Sequence, residues 1–243
     1  MPRLLTPTRS LVMVLLATFL CGCAHTGAVG ESRTGDPWEH FNRSMFKFND
    51  NVDRAVLKPV ARGYKAVLPG VVRKHVGYFF LNLQEPTTIV NDVLQGKLRQ
   101  AGLDFSRFAF NSTFGVLGVF DVATPLGMER HEEDFGQTFS VWGFSTGPYL
   151  VLPFLGPSTV ADGIGLVPST LYTDLRTAYV SADQSYALVG ASAIDTRARL
   201  LGASKVLQLQ LDPYVAARET YLQRRRLLVY DGKPPQDDDE PTD

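Results

Sequence analysis

Apolar side chains recur along most of this chain at the spacing of an amphipathic helix. Trp38, Phe41, Met45, Phe48, Val52 and Val56 follow one another at intervals of three and four, with Glu39, Arg43, Lys47, Asp50 and Arg54 between them, which is the period of one helix face. Asp36, Pro37 and Glu39 read as N-cap, first helical residue and capping-box partner. The stripe is rich in aromatics, and such a stripe serves either as core packing or as a membrane-contacting face. Pro59 and Pro69 bracket a short second element, and Val72, Val76, Phe79, Phe80 and Leu83 predict a third helix that Pro86 ends. Leu98, Ala101, Gly102, Phe105, Phe108, Ala109 and Ser112 predict a fourth, whose small and aromatic face permits close packing. Gly115, Gly118 and Pro125 then break the pattern.

From Phe135 to Gly165 the chain is apolar yet scattered with glycine and proline, suited to a core loop, a short strand or a cavity lining rather than to long regular elements. The segment around Trp142, Gly143, Gly147, Pro148 and Tyr149 is singled out as a special site. Helical patterning returns around Ser185 to Leu207, and Asp212-Pro213-Tyr214 opens a last helix that carries Tyr221, Leu222, Leu228 and Val229 and stops by Gly232. The pattern therefore predicts a mainly α fold over residues 36–232. It contains no apolar run of the roughly 20 residues that a spanning helix needs.

The ends differ from this body. Residues 1–22 hold Arg3 and Arg9, then the apolar run Leu11 to Leu20, then Gly22 before Cys23, the layout of a secretory signal peptide. Leu20-Cys21-Gly22-Cys23 resembles the bacterial lipobox, in which the cysteine after a small residue is acylated, so Cys23 is the expected lipidation site and residue one of the mature chain. Several acyl chains on one residue anchor stably, where one does not. Ala24, rather than Asp, follows, which favours the outer membrane. Residues 23–35 read as a flexible tether, and residues 233–243, with two adjacent prolines and five acids, as a disordered acidic tail.

Composition narrows the function classes. The chain has 243 residues, 24 basic and 25 acidic side chains, and losing Arg3 and Arg9 leaves the mature chain at a net charge of -3. No basic surface suits a nucleic acid. Only two cysteines occur, one removed with the signal, which excludes a disulfide framework and Cys-ligated metal. Gly143-Phe144-Ser145-Thr146-Gly147 matches a hydrolase nucleophile elbow, but all four histidines, His25, His40, His75 and His131, precede Ser145 and Pro148 sits where the elbow's helix must start. His131-Glu132-Glu133 lacks a second zinc-spaced histidine and reads as a solvated loop. Arg224, Arg225 and Arg226 read as cations complementing a helix C-terminus, with lipid phosphate as the other possibility. No catalytic residue, metal ligand or cofactor is assigned, and the chain is not expected to be an enzyme.

The run Asp36-Pro37-Trp38-Glu39-His40-Phe41-Asn42-Arg43-Ser44-Met45-Phe46-Lys47-Phe48-Asn49 resembles the opening of the MlaA/VacJ family of outer-membrane lipoproteins. The likeness continues through Leu57-Lys58-Pro59-Val60-Ala61, Asn82-Leu83-Gln84-Glu85-Pro86, Leu94-Gln95-Gly96-Lys97, Asn111-Ser112-Thr113-Phe114-Gly115, Asp134-Phe135-Gly136-Gln137-Thr138, Gly156-Pro157-Ser158 and Asp212-Pro213-Tyr214. The resemblance implies a helical, doughnut-like ring in the inner leaflet of the outer membrane, with an amphipathic channel and a Gly-rich hairpin beside it around Trp142 to Tyr149. It implies removal of misplaced phospholipid from the outer leaflet, transfer to a soluble periplasmic carrier, MlaC, and association with trimeric porins. Ser145 stands where the family often has a further glycine. The competing reading is a structural lipoprotein that scaffolds porins without moving lipid.

Overall fold

The structure, a computed structural model, describes residues 36–235. The expected signal peptide, the expected tether with Cys23, and residues 236–243 of the expected tail lie outside the described residues. The compact unit starting at Trp38 consists of helices α1 (Glu39–Val52), α2 (Lys58–Val67), α3 (Gly70–Leu94), α4 (Leu98–Thr113), α5 (Phe135–Val141), α6 (Val160–Pro168), α7 (Ala182–Arg199), α8 (Ala203–Gln208) and α9 (Pro213–Val229). One antiparallel hairpin, β1 (Tyr149–Leu152) with β2 (Gly156–Thr159), separates α5 from α6 and pairs Tyr149 with Thr159 and Leu152 with Gly156. None of the described helices is long and apolar enough to cross a membrane.

Local sequence explains several boundaries and misses others. α1 begins at Glu39, two residues later than the Asp36 cap predicts, because Pro37 and Trp38 form a turn and the Trp38 carbonyl accepts the N–H of Asn42. A π-turn over Asp53–Leu57 joins α1 to α2. There the Lys58 N–H reaches Asp53 O, five residues back, so the ladder changes step just before Pro59, which has no N–H to give. Pro86 does not end α3. The helix carries it internally, and packing along most of α4 offsets a cost of about 3 kcal/mol for interior proline.

The last third also departs from its pattern. The single helix expected around Ser185 to Leu207 is two, α7 and α8, divided at Leu200–Gly202. α7 starts with a complete capping box between Ser181 and Gln184, and the Asp212 carboxylate caps α9 through the N–H groups of Tyr214 and Val215. The glycine- and proline-rich middle is more regular than its composition suggests, since Thr159 caps α6 through the Asp162 N–H, 3.2 Å away.

The distribution of burial is the unexpected feature. Among the largest fully buried side chains of the described residues, Val151 alone is apolar; Gln137, Glu85, Asn42, Asn91, Asp92 and Asp104 are among the others. The face of α4 turned inward carries Asp104, Arg107 and Asn111, whereas Leu98 and Phe105, predicted to pack, are exposed. A small apolar cluster of Tyr149, Val151 and Tyr214, with Met45, Phe46, Tyr221 and Leu222 against it, is the main conventional core.

Candidate functional site

α1 is the element that positions the hairpin, and it does so with asparagines. Asn42 is fully buried. Its amide N–H donates to Tyr149 O at 3.0 Å while its Oδ1 accepts the Val151 N–H at 2.8 Å, the two bonds a neighbouring strand would make. Asn49, two turns on, repeats the arrangement with Leu152 O at 2.9 Å and the Phe154 N–H at 2.7 Å. The free edge of β1 is thereby closed by a helix, as exposed strand edges require. These two residues were not among the candidate site residues, although the i, i+7 spacing of asparagines on one helix was readable.

The predicted stripe on α1 divides. Met45 packs against the Tyr149 cluster, whereas Trp38, Phe41 and Phe48 remain more than a third exposed. Phe48 meets Phe154 at the hairpin tip edge-on, with ring centroids 5.2 Å apart. The stripe is thus part core and part surface.

The Gly-rich segment is not itself the hairpin. Residues 142–148 form a loop leading from α5 into β1, and the paired strands follow from Tyr149. Trp142 is half exposed and its indole N–H donates to Leu94 O at 2.9 Å. Gly143 and Gly147 have φ of +88° and +70°, in the left-handed region that glycine enters without a Cβ penalty. Ser145 Oγ accepts the Gly147 N–H at 3.1 Å. The Pro148 carbonyl accepts the Val160 N–H at 3.2 Å, which fastens the end of the loop to α6. Tyr149 is buried, stacked edge-on against Tyr214 and Tyr221, and so belongs to the core rather than to a surface-lining set.

An ion cluster clamps the helices that bracket this loop. Arg225 of α9 donates to both oxygens of Asp134 at 2.5 and 2.7 Å and pairs with Asp162 Oδ1, while the Tyr221 hydroxyl donates to Asp162 Oδ2. Asp134 caps α5 through the Gln137 N–H. Although its position between the helices partly desolvates it, the Arg225 guanidinium and the Gln137 N–H hold the Asp134 carboxyl below the usual carboxylate range. Arg225 is therefore a buried tie between α9, α5 and α6, not a cation complementing a helix terminus. Arg224, by contrast, is exposed and pairs with Glu132.

A second polar network fills the space between α3 and α4. Arg107 donates to Thr124 Oγ1, Met128 O and Asp121 Oδ2 at 2.9, 2.7 and 2.9 Å, and Arg130 donates to Glu85 Oε1 at 3.0 Å. Burial pushes the Glu85 carboxyl up to about 7 despite Arg130. His131 lies 2.9 Å from Asp104, and Glu133 is buried against Lys97, Gln95 and Gln100. Of the solvated loop expected at His131-Glu132-Glu133, Glu132 is exposed and His131 partly so, while Glu133 is buried. Asn82, Glu85 and Asp92 on α3, and Asp104, Arg107 and Asn111 on α4, keep the helical period that buried apolar residues normally hold.

The surface, beside its charged residues, exposes many large apolar side chains. Phe114, Phe144, Phe154, Leu155 and Leu209 are all more than 60% exposed, where soluble domains expose large apolar groups singly and bury few polar ones. Buried polar groups thus lie beneath a surface that carries large exposed apolar side chains.

Comparison with known proteins agrees with this architecture. The family described as MlaA lipoprotein matches residues 34–228. The intermembrane phospholipid transport system lipoprotein MlaA of Shigella flexneri is 36% identical over 225 residues, covering 91% of this chain and 88% of its own. That of Haemophilus influenzae is 33% identical over 231 residues, covering 93% and 92%. A solved structure described as the structural basis for maintenance of bacterial outer membrane lipid asymmetry superposes with a TM-score of 0.72 at 36% identity, covering 80% of this chain and 98% of its own. With the family match over residues 34–228 and relatives above 30% identical over about nine-tenths of both chains, this chain belongs to the MlaA lipoprotein family.

Proposed function

We propose that this chain is an outer-membrane lipoprotein, anchored by acylated Cys23, that removes misplaced phospholipid from the outer leaflet through an amphipathic channel. The lipid passes to a soluble periplasmic carrier of the MlaC type, with a trimeric porin as membrane partner. The observation that carries this reading is the inverted burial: polar groups inside, large apolar side chains outside. A lipid crossing leaflets must move its head group past hydrocarbon, where an unpaired charge costs several kcal/mol, and a route with a polar wall lowers that barrier. No covalent step is needed. The names of the MlaA relatives and the superposed structure's concern with lipid asymmetry support the same reading.

The test is surface labelling of amine head groups on intact cells lacking the gene. More label in the deletion, reversed by a wild-type copy and not by a Cys23→Ser copy, is expected. Equal label in deletion and wild type favours the porin scaffold instead.

The loop at residues 142–148 acts as the gate in this proposal. Gly143→Val and Gly147→Val each place a β-branched residue at a left-handed φ, at roughly 1–2 kcal/mol, and a Cβ at Gly147 also comes within 3.0 Å of Val160 Cβ. Both variants are expected to raise surface phospholipid while lowering the melting temperature by only a few degrees. Unchanged surface label in both removes the gate.

A further inference from the structure

Four cations converge on one cavity where α2 passes the turn between α7 and α8. Lys58, Arg62 and Lys65 stand at i, i+4 and i+7 of α2 and so share a face. With Lys205 of α8, and with Leu201 and Gly202 between, they line a cavity of about 280 Å³. Among the described residues, no carboxylate lines it.

The neighbouring cations behave differently. Arg197 and Arg199 on α7 are matched by Asp53 and Asp195, whereas none of the four cavity cations takes part in an ion pair among the described residues. The chain as a whole holds more acid than base, so an unneutralised group of four is not the by-product of a basic protein. Like charges one helical turn apart cost stability, and a bound anion would remove that cost. Arg62 supplies a planar fork that matches two phosphate oxygens, and the lysines supply point charges around it. Leu201 adds an apolar wall, and the exposed Leu200 and Val206 continue it along the chain.

We propose that this cavity binds the phosphate group of a phospholipid head, with the apolar wall receiving the glycerol and the first carbons of the tails. The inference rests on the phospholipid reading above and adds a defined anion-binding position to it.

The test uses the purified full-length lipoprotein in maltoside detergent, with dihexanoyl phosphatidylglycerol as probe, and dihexanoylglycerol and inorganic phosphate as comparisons. The wild type is expected to bind the phospholipid in calorimetry, inorganic phosphate to compete weakly, and the phosphate-free dihexanoylglycerol not to compete. Arg62 and Lys205 are both exposed, so Arg62→Ala/Lys205→Ala is expected to melt at or slightly above the wild-type temperature in the absence of probe and to bind the probe at least about tenfold more weakly, as loss of charged hydrogen bonds implies. Arg62→Lys is expected to recover part of that loss. Equal binding by wild type and double variant overturns the proposal, and so does binding of inorganic phosphate as tight as that of the lipid, since the cavity then takes free phosphate. Surface labelling of cells separates the two levels. A wild-type copy that fails to clear surface phospholipid overturns the transport reading, whereas normal clearance and undiminished probe binding by the double variant overturn only the site.

Discussion

Arg225→Met is expected to lower the melting temperature of the full-length protein in detergent by roughly 6–12 °C, the equivalent of about 3 kcal/mol in a chain of this size. The guanidinium is buried and ties Asp134 and Asp162 across three helices. Removing it strands Asp162, which is close to buried, without a counter-charge, and breaking a buried pair costs far more than the intact pair contributes. Asp134 is half open to solvent and is charged less heavily for the loss. Space is also specific here: a Cβ on Gly136 would approach Asp162 Oδ1 to 2.1 Å and the Arg225 guanidinium to 2.6 Å, so no larger residue fits beside the pair. Adding Asp162→Asn to Arg225→Met is expected to recover part of the stability, because the stranded group is then neutral. A single variant as stable as the wild type, or a double variant no better than the single one, contradicts the clamp. Since α5 and α6 bracket the loop at residues 142–148, surface phospholipid is expected to rise with temperature in the single variant before it does in the wild type.

Asp92→Asn is expected to stabilise the protein at alkaline pH and to leave it unchanged at mildly acidic pH. Asp92 of α3 and Asp104 of α4 are both fully buried, and three of their four oxygens lack a donor, the fourth meeting His131. Burial, the adjoining Asp104 and the charge of Glu133 push the Asp92 carboxyl from its ordinary 3.8 up to about 8. Two buried carboxylates sharing a site hold one proton between them. The folded state therefore keeps a proton that the unfolded chain releases near pH 4. Its contribution to stability is complete below that value and is lost as pH rises through about 8. Glu85, raised to about 7, adds a slope of the same sign. Asp121, Asp134 and Asp212 are held below the usual range by their cationic and N–H partners, and their contribution fades as pH falls below the ordinary carboxylate range. Maximum stability at mildly acidic pH follows. An amide at position 92 donates to Asp104 at every pH, so the decline of melting temperature toward alkaline pH is expected to flatten in Asp92→Asn. Parallel curves for variant and wild type would exclude the shared proton.

Much of the helical order was legible from spacing alone. The stripe on α1, the fourth helix over Leu98–Thr113 and the Asp212-Pro213 start of α9 lie where apolar period and capping residues put them. Other elements were not legible, each for a physical reason. Pro86 is a strong local stop, overridden by packing along α4 that no local window contains. The break at Leu200–Gly202 has no proline and is made by the turn into α8. The glycine- and proline-rich segment left a short strand as one option among several; β1 pairs locally with β2, but the groups that close its other edge, Asn42 and Asn49, lie about a hundred residues away and no local window contains them. Arg225 was misread because a cation near a helix end has a ready local explanation, while Asp134 and Asp162 become its neighbours only after α5, α6 and α9 assemble.

Local patterning set the helical periods and the residue types available for each face, since these depend on neighbours within a few turns, and motifs spread from Asp36 to Tyr214 carried the family likeness. Which face turned inward was settled when the helices assembled. An amphipathic helix carries a polar and an apolar stripe at the same period, and its pattern is unchanged if inside and outside are exchanged. The choice follows from the partners across the helix interface: Asp104, Arg107 and Asn111 find donors and acceptors on facing elements, and Phe105 and Leu98 are left to face outward.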